Sequence, residues 1–257
     1  MMDKKNVRVE LDGMVALVTL DRPPVNALDR ATRYELIEIF DEISQRDDIR
    51  CAVLTAAGKT FCAGADLKDR PSADDPGDFL AHNRAIRETG NAIRECDKPV
   101  IAAVNGVALG AGLGLMAACD IYYASEEARF GMPEINVGLA GGAALIQGML
   151  SRSTARRMFF TGARMTAAEM KEQNVIEEVT SAKDLVPTAM AVAHEIASKA
   201  PLAMKYAKQT ANMVENMPER DAYRAEQNFT MALSKTEDAR EARMAFLEKR
   251  DPVFKGR

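Results

Sequence analysis

The residue types best placed to do chemistry lie in one stretch, residues 98–142. Gly110-Ala111-Gly112-Leu113-Gly114 precedes a segment, 115–119, that reads as a helix too apolar to face water. Glycines before a buried helix let a ligand approach the backbone closely. The first helical N–H groups lack partners inside the helix and can point at an anion or a polarised carbonyl oxygen. Downstream a single carboxylate, Glu134, stands among apolar neighbours in Phe130-Gly131-Met132-Pro133-Glu134-Ile135. A donor site followed by an isolated carboxylate suits proton transfer beside a stabilised oxyanion. The pattern equally suits a packing helix and a loop carboxylate facing water, so this stretch alone leaves both readings open.

The remaining composition narrows the chemistry. The chain has 257 residues and only two histidines, His82 and His194; four cysteines, Cys51, Cys62, Cys96 and Cys119, are scattered without a paired spacing. Neither a metal site nor a Ser-His-Asp triad is expected, and chemistry falls to carboxylates and backbone donors. The net charge of −4 argues against nucleic acid as a partner. No run reaches the roughly 20 apolar residues that span a bilayer, so no membrane partner is expected. The start, Met1-Met2-Asp3-Lys4-Lys5-Asn6, reads as leading straight into a strand without a signal peptide. The end, Phe254-Lys255-Gly256-Arg257, is not a peroxisomal address. A cytoplasmic location is the expectation.

The elements that must position these residues follow from periodicity and turn signals. Residues 7–11 and 15–20 around Asp12-Gly13 predict a hairpin. Asp29 caps a helix to about Gln45, with Leu36, Ile37, Ile39, Phe40 and Ile43 on one stripe. Strands are expected at 51–55, 100–104, 120–124 and 175–179, and a Gly/Ala-rich loop at 56–67. Residues 69–78, with prolines and charges, predict a flexible loop before a helix from Phe79 to about Glu95. Ser125-Glu126-Glu127 reads as a polar turn. Helices are expected near 143–149, 153–160 and 184–199, with a capping pattern at Thr166 and Glu169. Residues 203–215, 219–234 and 237–249 all read as helical. An α/β core with a helical extension results, divided at 1–200 and 201–257.

Several segments, taken in order, carry a resemblance to the crotonase, or enoyl-CoA hydratase/isomerase, superfamily across essentially the whole chain. They are Arg22-Pro23-Pro24-Val25-Asn26-Ala27-Leu28, Phe61-Cys62-Ala63-Gly64-Ala65-Asp66-Leu67, Lys98-Pro99-Val100-Ile101-Ala102-Ala103-Val104-Asn105-Gly106, Cys119-Asp120-Ile121, the Glu134 segment, and Ala245 through Phe254. The resemblance implies a spiral of repeated ββα turns with a helical C-terminal region, 201–257, that mediates homotrimers, often paired into hexamers. It implies an acyl-CoA substrate, with CoA as part of that substrate and no separate cofactor. It places the thioester oxygen between the backbone N–H groups of Ala65 and Ala111 and makes Glu134 the acid/base. Substrate contacts carried over by position are Val25, Ala63, Asp66, Leu67, Lys68, Gly110 and Gly114. Lys68, Arg70, and Lys249 or Lys255 of a neighbouring subunit are candidates for the CoA phosphates, or simply solvated charge.

The departures from the family pattern are informative. Hydratases of this family carry two glutamates, and the first position here is Gly114, so one carboxylate remains. One carboxylate suffices to shuttle a proton between carbons, as in the family's isomerases. It also occurs in a hydratase-lyase branch resembling the stretch Asn136 to Gly142. Gln147 echoes a glutamine of the hydratase pattern. Ala140, Gly141 and Gly142 stand where the dehalogenases place an aspartate, which argues against that chemistry. Double-bond isomerisation, hydration and a hydratase-lyase reaction of an enoyl-CoA stay open. The alternatives are a thioester-binding paralogue with little turnover and, against the acidic charge balance, an RNA-binding one. Gly114 leaves room where a glutamate would project, so a bulkier acyl chain is conceivable.

Overall fold

A computed structural model describes residues 4–72 and 74–257; Met1, Met2 and Asp3, read above as leading into the first strand, and Ala73 in the 69–78 loop lie outside it. The first half alternates strands and helices: β1 (Val7–Asp12), β2 (Val15–Leu20), α1 (Arg30–Gln45), β3 (Cys51–Ala56), β4 (Thr60–Cys62), α2 (Pro76–Arg94), β5 (Val100–Val104), β6 (Val107–Leu109) and α3 (Ala111–Ala118). There follow β7 (Ile121–Ser125), β8 (Arg129–Gly131), a 3-10 turn (Pro133–Val137), α4 (Ala143–Gln147), α5 (Arg152–Thr161), β9 (Arg164–Thr166), α6 (Ala167–Glu172), β10 (Glu178–Thr180) and α7 (Leu185–Ala197). Three helices close the chain: α8 (Pro201–Val214), α9 (Glu219–Leu233) and α10 (Glu237–Glu248).

Two sheets result. The larger runs β1-β2-β3-β5-β7-β10, antiparallel at the β1–β2 hairpin and parallel elsewhere; the smaller runs β4-β6-β8-β9. Each central strand of the large sheet feeds one of the small sheet and then a helix, as in β3-β4-α2 and β5-β6-α3. This is the ββα spiral that the resemblance implies. β3 and β5 are buried throughout because both faces of the large sheet are covered. One face meets α1 and α2 through Leu36, Phe40 and Ile93, and the other meets α7 through Leu185, Ala189 and Ala193.

Several expectations shift. The helix expected at 115–119 begins at Ala111, because Gly110 (φ 51, ψ −114) makes the turn that starts it. The 56–67 loop contains β4, and β6, β8 and β9 were equally invisible: three residues are too few to show periodicity. The last strand pairs at Glu178–Thr180 rather than 175–179, since Val175 and Ile176 bury in the core before pairing begins. α2 starts at Pro76 inside the expected 69–78 loop, capped by Asp75, whose carboxylate accepts the Gly77 and Asp78 N–H groups. The predicted caps at Asp29 and at Thr166 with Glu169 are present. All four cysteines are free and buried; burial pushes the Cys51 thiol up to about 12 and the Cys62 thiol up to about 11, which leaves them unreactive. His194 lies on the surface, its Nε2 3.0 Å from Asp12. α8 is fastened to the core by Lys208, whose buried ammonium reaches the Ile93 and Lys98 carbonyls and Asp120 at 2.9 Å. No helix among the described residues is long and apolar enough to cross a membrane.

Candidate active site

The site forms where β4, β6 and β8 end. Glu134 sits in the 3-10 turn directly after β8, with Pro133 setting the entry. It packs against Gly110: a β-carbon on Gly110 would overlap Glu134 Oε1, and the backbone there has positive φ, so glycine is required twice over. The Gly110 N–H donates to Gly131 O at 2.9 Å, which ties the helix start to the strand that carries Glu134. Glu134 is half-buried, and its Oε2 is buried without a hydrogen-bond partner. Burial raises its pKa, opposed only by its own backbone N–H. A carboxylate held this way favours the protonated form more than a free one does, which suits proton exchange near neutrality.

Two unused donors stand nearby. Ala111 is the first residue of α3, and its N–H has no acceptor among the described residues. The Ala65 N–H likewise donates to nothing among them. The two segments touch: a β-carbon on Gly64 would lie 3.2 Å from Leu109 O and 4.0 Å from Ala111 N. The structure thus brings Ala65, Gly110, Ala111 and Glu134 together. The glycines of α3 divide their roles. Gly112 is a packing glycine, since a β-carbon there would strike Cys62 O, whereas Gly110 faces the carboxylate.

The segment carrying Ala65 is clamped from the 22–28 loop. Leu28 bridges Ala65, through Leu28 N–H to Gly64 O (2.8 Å) and Asp66 N–H to Leu28 O (2.9 Å). Ala63 N–H donates to Val25 O at 3.0 Å. Arg22 reaches Ala27 O (2.8 Å), Asp66 (2.7 Å) and Asp29 (2.9 Å). The Asp66 carboxylate, which also accepts from Lys68 N–H at 3.0 Å, is therefore engaged within the chain. Leu67, Lys68 and Arg70 are exposed along the same rim, as is the Val25 side chain. Lys249 and Lys255 lie at the far C-terminal end, next to and beyond α10.

Gly114 lies on the exposed side of α3, and the ground beside it is occupied. A β-carbon there would stand 3.1 Å from Leu145 Cδ1, from α4. The room expected at Gly114 is bounded by that methyl group. Gln147 faces its own helix, its Nε2 donating to Ala143 O at 3.3 Å. Glu126 and Glu127 sit exposed on their turn.

Two roles are not legible in the sequence. One is the clamp made by Arg22, which the sequence places only within the 22–28 segment expected to contact CoA; its three acceptors show only in the fold. The other is that of Arg33, buried on α1 beside Cys62, with Nη2 unpartnered. The signal for Arg33 is a charged residue on the stripe of Leu36 and Phe40.

With this geometry in hand, the family model for enoyl-CoA hydratase/isomerase matches residues 10–257. Over 237 residues (92% of this chain and 96% of the relative) the chain is 36% identical to the (7aS)-7a-methyl-1,5-dioxo-2,3,5,6,7,7a-hexahydro-1H-indene-carboxyl-CoA hydrolase of Mycobacterium tuberculosis. It is 36% identical to a carnitinyl-CoA dehydratase of Escherichia coli, covering 98% and 99% of the two chains. The crystal structure of an enoyl-CoA hydratase from Bacillus anthracis superposes with a TM-score of 0.92 at 33% identity, covering 98% of this chain and all of that one.

Proposed function

The chain belongs to the enoyl-CoA hydratase/isomerase family, and we propose that it moves a proton between carbons of an enoyl-CoA thioester with Glu134 as sole acid/base. The observation that carries this reading is a half-buried Glu134, its Oε2 buried without a hydrogen-bond partner, in the same site as the unused N–H groups of Ala111 and Ala65. On a 3-enoyl-CoA the Glu134 carboxylate takes a proton from C2, and the electron pair moves onto the thioester oxygen as a dienolate. The two backbone donors hold that oxygen; loss of one such donor costs acyl-transfer enzymes about 2.7–4 kcal/mol. Protonated Glu134 then returns the proton to C4, leaving the conjugated 2-enoyl ester and the carboxylate regenerated. The CoA itself is substrate, held along the rim of Val25, Ala63, Leu67 and Lys68.

Isomerisation is preferred over hydration because no second carboxylate acts on Glu134 among the described residues. Hydration needs a water held and deprotonated opposite the double bond. At Gly114 the neighbouring group is the Leu145 methyl, which offers that water no hydrogen bond. The last three helices, in the region 201–257, are the proposed oligomerisation surface. Tyr223, Met231, Phe246, Leu247 and Val253 stand exposed there, Phe246 at 83%, which suits a homotrimer or a pair of trimers.

The test is turnover of a 3-enoyl-CoA, a short trans-2-enoyl-CoA and a hydroxycinnamoyl-CoA, followed by the conjugated thioester absorbance. The expected result is conversion of the 3-enoyl ester with little hydration of the 2-enoyl ester. Rapid hydration would show that a single glutamate manages water here. Tight binding without turnover of any of them would favour the thioester-binding alternative.

A further inference from the structure

α1 carries a cation in the wrong place for a soluble helix. Arg33 shares the core-facing stripe with Leu36 and Phe40 and is 3% exposed, yet its Nη2 is buried and meets no acceptor. A neighbouring cation, Arg30, has a buried Nε that is equally unpartnered. Guanidinium groups stay ionised, so a buried one without a hydrogen-bonded anion is costly to keep. The carboxylates that face it are engaged elsewhere. Asp29 accepts from Thr32 N–H and pairs with Arg22, while Asp69 accepts from Arg30 N–H. Asp78 is held by Arg30 and by Ser72 N–H. His82, from the first half of α2, feels both arginines, which lower its pKa beyond the effect of burial.

The position of this cluster bears on the substrate. Arg33 lies beside Cys62, at the end of the strand that leads into Ala63, Gly64 and Ala65 and whose carbonyl supports the first turn of α3. Asp69 lies beside it, and Asp78 and His82 from the start of α2 lie beside Arg30 and Arg33. A cation this deeply buried is out of reach of the CoA phosphates, which stay at the solvent end of the ligand. The part of a thioester that can reach it is the acyl group.

We propose that Arg33, with Arg30 and His82 beside it, forms an anion subsite for a carboxylate borne on the acyl chain, so that the enzyme's substrates are CoA esters of dicarboxylic acids. This rests on the acyl-CoA reading above and extends it to the acyl group. The subsite replaces an orphaned charge with a bidentate guanidinium–carboxylate pair, the geometry arginine is suited to.

The experiment compares binding of glutaconyl-CoA and crotonyl-CoA, which differ by the terminal carboxylate, to the wild type and to Arg33→Met. Methionine keeps the length of the side chain and removes a buried charge, so the variant should fold and melt no lower than the wild type. The wild type is expected to bind glutaconyl-CoA tighter by about tenfold or more, the factor one charge-assisted hydrogen bond carries, and Arg33→Met to bind both esters alike. In parallel, millimolar sulfate should raise the melting temperature of the wild type more than that of Arg33→Met. Equal binding of the two esters by the wild type, or a preference that survives in Arg33→Met, overturns the subsite and leaves the acyl-CoA reading intact. If neither ester binds while sulfate still discriminates the two proteins, the acyl-CoA reading falls and the anion site stands. If sulfate too acts equally on both proteins, the anion site falls with it.

Discussion

At the scale of single residues, Glu134 and Gly110 define each other. The carboxylate lies where any side chain at Gly110 would be, and its Oε2 is buried without a partner. That burial has a thermodynamic sign. The folded chain holds the Glu134 proton above the ordinary value of 4.5, so it binds more protons than the unfolded chain. The carboxyl therefore costs no stability well below pH 4.5, and stability falls as the pH rises through the raised value. Glu134→Gln is expected to melt higher than the wild type at neutral pH, with the difference shrinking as the pH approaches 4.5; calorimetry across that range checks it. A variant that melts lower at neutral pH would mean the carboxylate has partners the fold does not show. For the proposed reaction, activity is expected to run the other way, rising with pH as the base form appears, which a pH–rate profile checks. Glu134 was legible in the sequence because it is alone among apolar residues. Arg33 was not, because on a helix read for its apolar stripe an arginine is assigned to the outer face.

At the scale of elements, Ala65, the proposed donor, is positioned by the 22–28 loop. Arg22 fastens Ala27, Asp29 and Asp66 at once, and the Leu28 bridge hangs Ala65 from that frame. Arg22→Met should release the frame and lower kcat by about ten- to a hundredfold, as small misplacements of catalytic groups do, with a lesser change in KM. Hydrogen exchange should quicken at the Asp66 amide, and Arg22→Lys should recover only part of the rate, having no planar fork to span three acceptors. Unchanged exchange with normal kcat would remove Arg22 from the account. The large sheet, apart from the three-residue β10, and the long helices were readable because their patterns run for five residues or more, as in Val100–Val104. The small sheet was not: β4, β6, β8 and β9 are three residues each and are held by neighbours distant in sequence. The start of α3 was misplaced for a related reason, since glycines that read as a loop are inside the helix, with Gly112 packed against Cys62.

At the scale of the whole molecule, Tyr223, Met231, Phe246, Leu247 and Val253 stand exposed on the last two helices and the tail. Phe246 and Leu247 stay exposed although Lys208 is buried to seat α8, and the proposed assembly would cover them with another copy of the chain. Sedimentation should show a trimer or larger at micromolar concentration, and Phe246→Glu with Leu247→Glu should shift it to monomer. A wild type that sediments as a monomer would refute the assembly. The helical nature of this region was legible from its periodicity, whereas its outward apolar face needed the packing of α8 against the core to be seen. Whether Glu134 moves the proton is decided by turnover of a 3-enoyl-CoA by the wild type and by Glu134→Gln, with the affinity of each for the ester measured alongside. The variant is expected to lose about a hundredfold or more in kcat with affinity nearly unchanged; equal turnover by the two proteins would exclude Glu134 from the proton transfer.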